Sequence, residues 1–127
     1  MRTGLLLFSL LLLIAAAVFY YLYDLAVVSR WRISAADARR QLGAGEFDLV
    51  LDVRTAAERA TLGYYPGSVH VAASQLEQVV PARYPDKSTA ILVYCNTGHR
   101  ARLATDKLHA LGYQNTRYIS SSHLSLI

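Results

Sequence analysis

An uninterrupted run of 20 uncharged residues, 4–23, stands near the N-terminus of this chain of 127 residues. As a helix, a run of this length is about 30 Å long, which matches the hydrocarbon core of a bilayer. Aromatic residues and arginines flank its far end, as at a membrane interface: Tyr20, Tyr21, Tyr23, Arg30, Trp31 and Arg32. The sequence therefore predicts a transmembrane anchor over residues 1–29 and one compact domain over residues 30–127.

A cleaved signal peptide is the alternative interpretation of the same run. Arg2 supplies a basic start, and Ala15, Ala16 and Ala17 resemble a small-residue cleavage site. Apolar character continues to Val28, past that site, which favours an uncleaved, single-pass anchor. The basic residues are more numerous on the C-terminal side, where they are Arg30, Arg32, Arg39 and Arg40. This bias predicts that the C-terminal domain faces the cytoplasm rather than the periplasm or the cell exterior.

The single cysteine of the chain, Cys95, lies between a short apolar run and a helical pattern. The run is Ala90–Tyr94, and the intervening segment reads Asn96-Thr97-Gly98-His99-Arg100. Such a strand, loop and helix can direct several backbone N–H groups at the sulfur and stabilise a thiolate, the nucleophilic form of cysteine. A buried structural cysteine is the alternative, but packing alone does not require a polar loop containing glycine. We therefore predict that Cys95 is a nucleophile and that residues 96–100 bind an anion.

Charge and cysteine content exclude several other classes of function. Residues 30–127 carry 12 Lys and Arg against 8 Asp and Glu, spread along the chain, which does not indicate nucleic-acid binding. A mildly basic domain is better suited to anionic lipid or small anionic substrates. One cysteine cannot form an internal disulfide or a thiolate zinc site, and the four histidines show no ligand spacing. We expect neither a metal nor a cofactor.

Helix and strand patterns alternate along residues 30–127. Three helix starts pair a hydroxyl residue with an acidic residue three positions later, which is typical of a capping box: Ser34 with Asp37, Thr55 with Glu58, and Ser74 with Glu77. Four apolar or β-branched runs predict strands: Leu49–Val53, Val69–Val71, Ala90–Tyr94 and Thr116–Ile119. This alternation predicts an α/β domain with a central, mostly parallel sheet.

Asp52 and Cys95 both fall where a predicted strand ends. The carboxyl ends of parallel strands share one edge of the sheet, and ligands of α/β proteins bind at that edge. The two residues are therefore predicted to lie at the same active site.

Three segments, taken in order, resemble the rhodanese family of single-domain sulfurtransferases. They are Leu51-Asp52-Val53-Arg54-Thr55, Tyr65-Pro66-Gly67-Ser68-Val69-His70, and Tyr94-Cys95-Asn96-Thr97-Gly98-His99-Arg100. The resemblance runs from about Ile33 to Ile119. It implies a small rhodanese-like domain with three layers, preceded here by the transmembrane helix.

The resemblance implies an enzyme of the thiosulfate sulfurtransferase class. Cys95 would take a sulfane sulfur from thiosulfate or a persulfide, hold it as a persulfide, and pass it to a thiol, cyanide or a protein acceptor. The backbone N–H groups of Asn96, Thr97, Gly98, His99 and Arg100 would stabilise the anionic sulfur. Arg100 would face the incoming anion or brace the loop. Asp52 and Arg54 would support the loop rather than react.

Two features of the sequence bear on alternatives. Related folds that act as phosphatases or arsenate reductases need five residues between cysteine and arginine, whereas four separate Cys95 from Arg100, which disfavours those activities. The family commonly ends in a Gly-Gly turn and a Trp-containing helix, but this chain continues as Ser120-Ser121-Ser122-His123. This tail predicts a site that is open on one side. It also motivates a second hypothesis, a non-catalytic binding or regulatory module at the membrane.

Overall fold

The computed structural model describes residues 1–28 and 30–127, and these residues form two compact units, 1–30 and 31–127. The predicted boundary between anchor and domain falls at residue 29, outside the described residues. In the first unit, helix α1 covers Arg2–Tyr23 and passes into a π-helical turn over Asp24–Val28. This helix is long and apolar enough to cross a bilayer, a criterion that a signal sequence near an N-terminus also meets.

The second unit is built on one parallel sheet of four strands. The strands are β1 (Leu49–Asp52), β2 (Val69–His70), β3 (Ile91–Tyr94) and β4 (Thr116–Tyr118), in the order β2-β1-β3-β4. The helices are α2 (Ala35–Gly43), α3 (Ala56–Leu62), α4 (Leu76–Arg83) and α5 (His99–Ala110). Short 3₁₀ turns cover Ala73–Gln75 and His123–Leu126. The prediction of an α/β domain with a central parallel sheet is confirmed.

Successive residues of the two central strands face opposite sides of the sheet, and both sides are buried. Leu51 and Val93 join the larger apolar cluster, which includes buried residues of α4 and α5. Val50 and Leu92 join a smaller cluster with Ala38 of α2 and with Leu126 near the C-terminus. Strands covered on both faces carry continuous apolar runs rather than alternating ones. The domain therefore has the three layers that the resemblance implies.

The helix starts agree with the predicted caps at two of three places. Thr55 and Glu58 form a reciprocal capping box, and the hydroxyl of Ser34 accepts a hydrogen bond from the backbone N–H of Asp37. The predicted cap at Ser74 is wrong, because α4 begins at Leu76 with no side-chain cap. A capping residue has an extended backbone. Here Ser74 lies within the 3₁₀ turn that precedes α4.

Candidate active site

The carboxyl ends of β1 and β3 lie side by side at the centre of the sheet. Asp52 pairs in register with Tyr94, the residue immediately before Cys95. The chain moves from β1 outward to β2, and then back across β1 to β3, so the order of the strands reverses between β1 and β3. Such a reversal opens a crevice at the carboxyl ends of the strands. The structure thus brings Asp52 and Cys95 to the same edge of the sheet, as the sequence predicted.

Cys95 lies under the loop that follows it. Its residue exposure is only 1%, and its Sγ accepts a hydrogen bond of 3.1 Å from the backbone N–H of Gly98. Gly98 has a left-handed backbone, with φ of +98°, and it caps the N-terminus of α5. Backbone N–H groups at a helix start favour negative charge. The loop therefore directs a backbone N–H group from the start of α5 at Sγ of Cys95.

A buried ionic cluster supports this loop from β1. The Asp52 carboxylate accepts five hydrogen bonds: from the backbone N–H, Nε and Nη2 of Arg54, from Nη1 of Arg59, and from the hydroxyl of Tyr94, at 2.9–3.2 Å. Burial alone would raise the pKa of Asp52, but the hydrogen bonds from Arg54 and Arg59 outweigh it and hold this pKa below its usual range. Asp52 therefore stays ionised in the fold.

Arg54 carries this support to the loop. Its Nη1 donates to Oδ1 of Asn96 at 3.3 Å, and its Nη2 donates to the carbonyl of Gly63 at 2.6 Å. The residue is 1% exposed, so its charge is balanced by Asp52 rather than by solvent. Arg54 thus connects β1, the segment after α3 and the residue next to Cys95.

Glu58 braces the other side of the loop. It accepts bonds from both Nη atoms of Arg100, at 2.6 and 2.7 Å, and a third from Nδ2 of Asn96, at 2.6 Å. The hydrogen bonds from Arg100 and from the backbone of Thr55 hold the pKa of Glu58 well below its usual range. This bidentate pair ties the first turn of α3 to the end of the Cys95 loop. Arg100 is therefore positioned as a brace of the loop.

The other predicted loop residues, Thr97 and His99, are exposed beside Cys95. Sequence reasoning missed the role of Glu58 in the loop, and it did not assign Arg59, Ser68 or Tyr94 to the site. Arg59 donates to Asp52 and Ser68, and the hydroxyls of Ser68 and Tyr94 lie 3.2 Å apart. The signal that could have found Glu58 is its position in the first helical turn after Asp52-Val53-Arg54.

The C-terminal tail covers the site on the side that was expected to be open. A Cβ placed on Gly98 would lie 2.7 Å from Cα of Ser120, and His123, three residues after Ser120, is buried. The carbonyl of Ser125 accepts a hydrogen bond of 2.6 Å from Arg39 of α2. The expectation of an open side is therefore wrong, because the tail packs on α2 and on the Cys95 loop.

His123 is the buried polar residue of this tail. Its Nδ1 has no hydrogen-bond partner among the described residues, and its ring lies 6.1 Å from the ring of Tyr94. Burial lowers the pKa of the His123 imidazole, and the charge of Arg54 lowers it further. His123 therefore sits in the fold as a neutral group that packs against the ionic cluster.

Taken together, these contacts define a class of protein: an α/β domain that holds its single cysteine, buried, under a braced loop at the switch point of a parallel sheet. Its family follows from comparison with known sequences. The rhodanese-like domain family matches residues 34–122, well over half of the chain, so the chain belongs to that family. The search of curated proteins gave no match.

Solved structures resemble the domain at the level of its whole fold. A human single-domain sulfurtransferase is 26% identical, with a TM-score of 0.64 over 75% of this chain and 93% of that chain. A rhodanese-related protein from Thermoplasma volcanium is 27% identical, with a TM-score of 0.62 over 75% and 88%. A thiosulfate sulfurtransferase from Pseudomonas aeruginosa is 27% identical, with a TM-score of 0.61 over 74% of this chain and 18% of that chain. These similarities support a sulfurtransferase-type role.

Proposed function

We propose that this chain is a membrane-anchored sulfurtransferase that carries sulfane sulfur as a persulfide on Cys95. The observation that carries the proposal is the hydrogen bond from the N–H of Gly98 to Sγ of Cys95, made in a loop braced by two ionic clusters. A thiolate and a persulfide anion both need such donors. A cysteine that serves only for packing needs none.

The proposed reaction has two displacements at sulfur. The Cys95 thiolate attacks the outer sulfur of the donor, so that a new S–S bond forms and the bond from that sulfur to the rest of the donor breaks with its electron pair. Thiosulfate would leave as sulfite, and a persulfide would leave as its parent thiol. An acceptor thiolate or cyanide then attacks the outer sulfur of the Cys95 persulfide and releases the Cys95 thiolate. The loop N–H groups keep the same position in both steps, since both states of Cys95 are anionic.

The test is intact mass spectrometry of the full chain in detergent after exposure to a sulfur donor and removal of the excess. We expect a gain of one sulfur atom on the wild type, reversal of the gain by cyanide or a thiol, and no gain on Cys95→Ser. Serine is nearly isosteric with cysteine, and the fluorescence of Trp31, the single tryptophan, reports whether the variant remains folded. A folded wild type that gains no sulfur from any donor would refute the proposal.

One observation favours a second candidate, a binding module without catalysis. Cys95 is 1% exposed. Burial of the sulfur would not hinder a partner that docks on the surface of the loop, because such a partner does not react with the sulfur. The same experiment separates the candidates, because a docking module gains no sulfur. It would instead retain its membrane partner in the Cys95→Ser variant.

For the anchor, we propose that α1 crosses the membrane once and that the domain faces the cytoplasm. The support is the excess of arginine on the C-terminal side of the apolar run. Two of those arginines, Arg39 and Arg40, lie in α2 of the folded domain. Trypsin added to sealed inside-out vesicles should digest the domain, and trypsin added to right-side-out vesicles should leave it intact. The opposite pattern would place the domain on the other side, and release of a shortened domain from the membrane would indicate a cleaved signal peptide.

A further inference from the structure

The C-terminal tail, residues 120–127, begins against the Cys95 loop. A Cβ on Gly98 would lie 2.7 Å from Cα of Ser120, so the backbones of these two residues are in direct contact. The same Gly98 donates its N–H to Sγ of Cys95. The position of the tail therefore bears on the position of the loop.

The other end of the tail packs against helix α2. Leu126 is buried in the smaller apolar cluster, and the carbonyl of Ser125 accepts a hydrogen bond of 2.6 Å from the exposed residue Arg39. Asp37 and Arg40 of the same helix pair with each other. Exposed hydrogen bonds contribute little net free energy, because water competes for both partners. Burial of Leu126 is therefore the main attachment of this end of the tail.

His123, between these two ends, weakens the attachment. It is 5% exposed, and its Nδ1 has no hydrogen-bond partner among the described residues. A buried polar atom without a partner costs free energy as long as the tail is closed. Residues 120–127 include no Asp, Glu, Lys or Arg, so His123 is the side chain of the tail that can gain a charge near neutral pH.

The surroundings of His123 do not accommodate a positive charge. Arg54, buried in the adjacent ionic cluster, already carries one. The Asp52 carboxylate is occupied by hydrogen bonds from Arg54, Arg59 and the hydroxyl of Tyr94. An imidazolium would also need an acceptor for its Nδ1–H, and the described residues provide none. Burial and the charge of Arg54 accordingly lower the pKa of His123 from its ordinary value of 6.5, and Asp52 offsets only part of this effect.

We propose that residues 120–127 form a lid on the Cys95 loop, which is closed while the His123 imidazole is neutral and opens when it takes up a proton from solvent. In the open tail, water hydrates the imidazolium and accepts from both of its N–H groups. Because the open tail has the ordinary pKa and the closed tail a lower one, protons favour the open form. The lid is therefore closed above pH 6.5 and opens progressively below it. Opening removes Ser120 from Gly98 and releases the loop.

Hydrogen–deuterium exchange of the full chain in detergent tests the lid at about pH 7.5 and about pH 5.5, on either side of the ordinary imidazole pKa. Labelling times are scaled for the intrinsic effect of pH on amide exchange, so that structural protection alone is compared. We expect the protection of the tail peptide to fall by about threefold or more at the lower pH, while a peptide of β3 keeps its protection. Equal tail protection at the two pH values would overturn the proposal. So would an equal loss in β3, which would indicate global unfolding.

His123→Phe tests the titrating group, because it removes the imidazole and keeps a ring that can pack near Tyr94. The tail of this variant should be equally protected at both pH values. The matched control is His109→Gln in α5, where His109 bonds to the carbonyl of Thr116, and this variant should keep the loss of protection in acid. An acid loss that persists in His123→Phe or disappears in His109→Gln contradicts the proposal, since another group would then titrate. If phenylalanine leaves the tail open at both pH values, the smaller and neutral His123→Gln replaces it, and if that tail is open too, the wild-type profile and His109→Gln decide.

Alkylation of Cys95, the single cysteine, measures whether the lid controls the loop. The rate with iodoacetamide in the wild type is divided by the rate in His123→Phe at the same pH, which cancels the ionisation of the thiol. We expect this ratio to rise by about threefold or more between the higher and the lower pH. A constant ratio in a protein whose tail opens would show that the tail is not a lid on this loop. No sulfur donor enters these measurements, so they stand or fall separately from the function proposed above.

Discussion

Replacing Asp52 by asparagine is expected to lower the free energy of unfolding of the domain by about 3–5 kcal/mol. Asp52 is fully buried and balances the charge of Arg54, which is also buried. Asparagine keeps the shape of the side chain but leaves the guanidinium of Arg54 without a counter-charge in a region that water does not reach. Chemical denaturation of the full chain in detergent, followed by Trp31 fluorescence, measures the effect.

The matched control for this substitution is Asp37→Asn. Asp37 also pairs with an arginine, Arg40, at 3.2 Å, but both side chains are more than half exposed. Exposed pairs of this kind contribute no more than about 1 kcal/mol. Equal losses for Asp52→Asn and Asp37→Asn would contradict the role assigned to the buried cluster.

The same cluster predicts a loss of stability in acid. The pKa of Asp52 is lower in the folded state than in the unfolded chain. At a pH between these two pKa values, the unfolded chain therefore binds more protons than the folded domain does. The stabilisation by Asp52 is therefore complete above the unfolded pKa of 3.8 and is lost as pH falls through the lower, folded value. Asp52→Asn should remove this part of the pH dependence.

Replacing Gly98 by alanine is expected to lower the rate of sulfur gain on Cys95 by about 10²-fold, the effect of losing one anion-stabilising N–H donor. The backbone of Gly98 has φ of +98°, and a Cβ there would lie 2.7 Å from Cα of Ser120. The new Cβ would clash with the backbone of Ser120, which cannot rotate away as a side chain can. The Cys95 loop or the tail must therefore shift to remove the clash. Either shift moves the N–H of Gly98 away from Sγ of Cys95. Quenched-flow mass spectrometry with cysteine persulfide measures the rate.

Gly67→Ala is the control that separates the effect of backbone strain from the effect of the steric clash with Ser120. Gly67 also has a left-handed backbone, with φ of +86°, but a Cβ there meets nothing within 4 Å. Its substitution should cost about 1 kcal/mol of stability and leave the rate of sulfur gain unchanged. A rate for Gly98→Ala within about twofold of the wild type would show that the contact with Ser120 does not control the loop.

Local patterns were sufficient to predict most of the fold. Each predicted strand appears within one residue of its expected bounds, because buried parallel strands have a continuous apolar signal. Thr55 and Glu58 form the expected capping box, since the two residues are neighbours on one helical turn. The pattern at Ser74 was misleading because its local backbone is a 3₁₀ turn.

Contacts between segments that are distant in sequence could not be predicted from local patterns. Glu58 was predicted only as a helix cap, yet it also binds Arg100 and Asn96, which are about 40 residues further along the chain. The tail residues Ser120 and His123 gave no sign that they would cover the loop. Each of these contacts depends on how α3 and the tail pack against the end of β3.

The sequence by itself determined the apolar N-terminal helix, the alternation of strands and helices, and the placement of Asp52 and Cys95 at one edge of a parallel sheet. Hydrophobic periodicity and strand direction are local properties, so they determine these features. Only the tertiary structure decided that the arginines around Cys95 are paired with Asp52 and Glu58 and that Ser120 closes on Gly98. Charge pairing and close packing depend on distances between segments that are far apart in sequence, and the fold sets those distances.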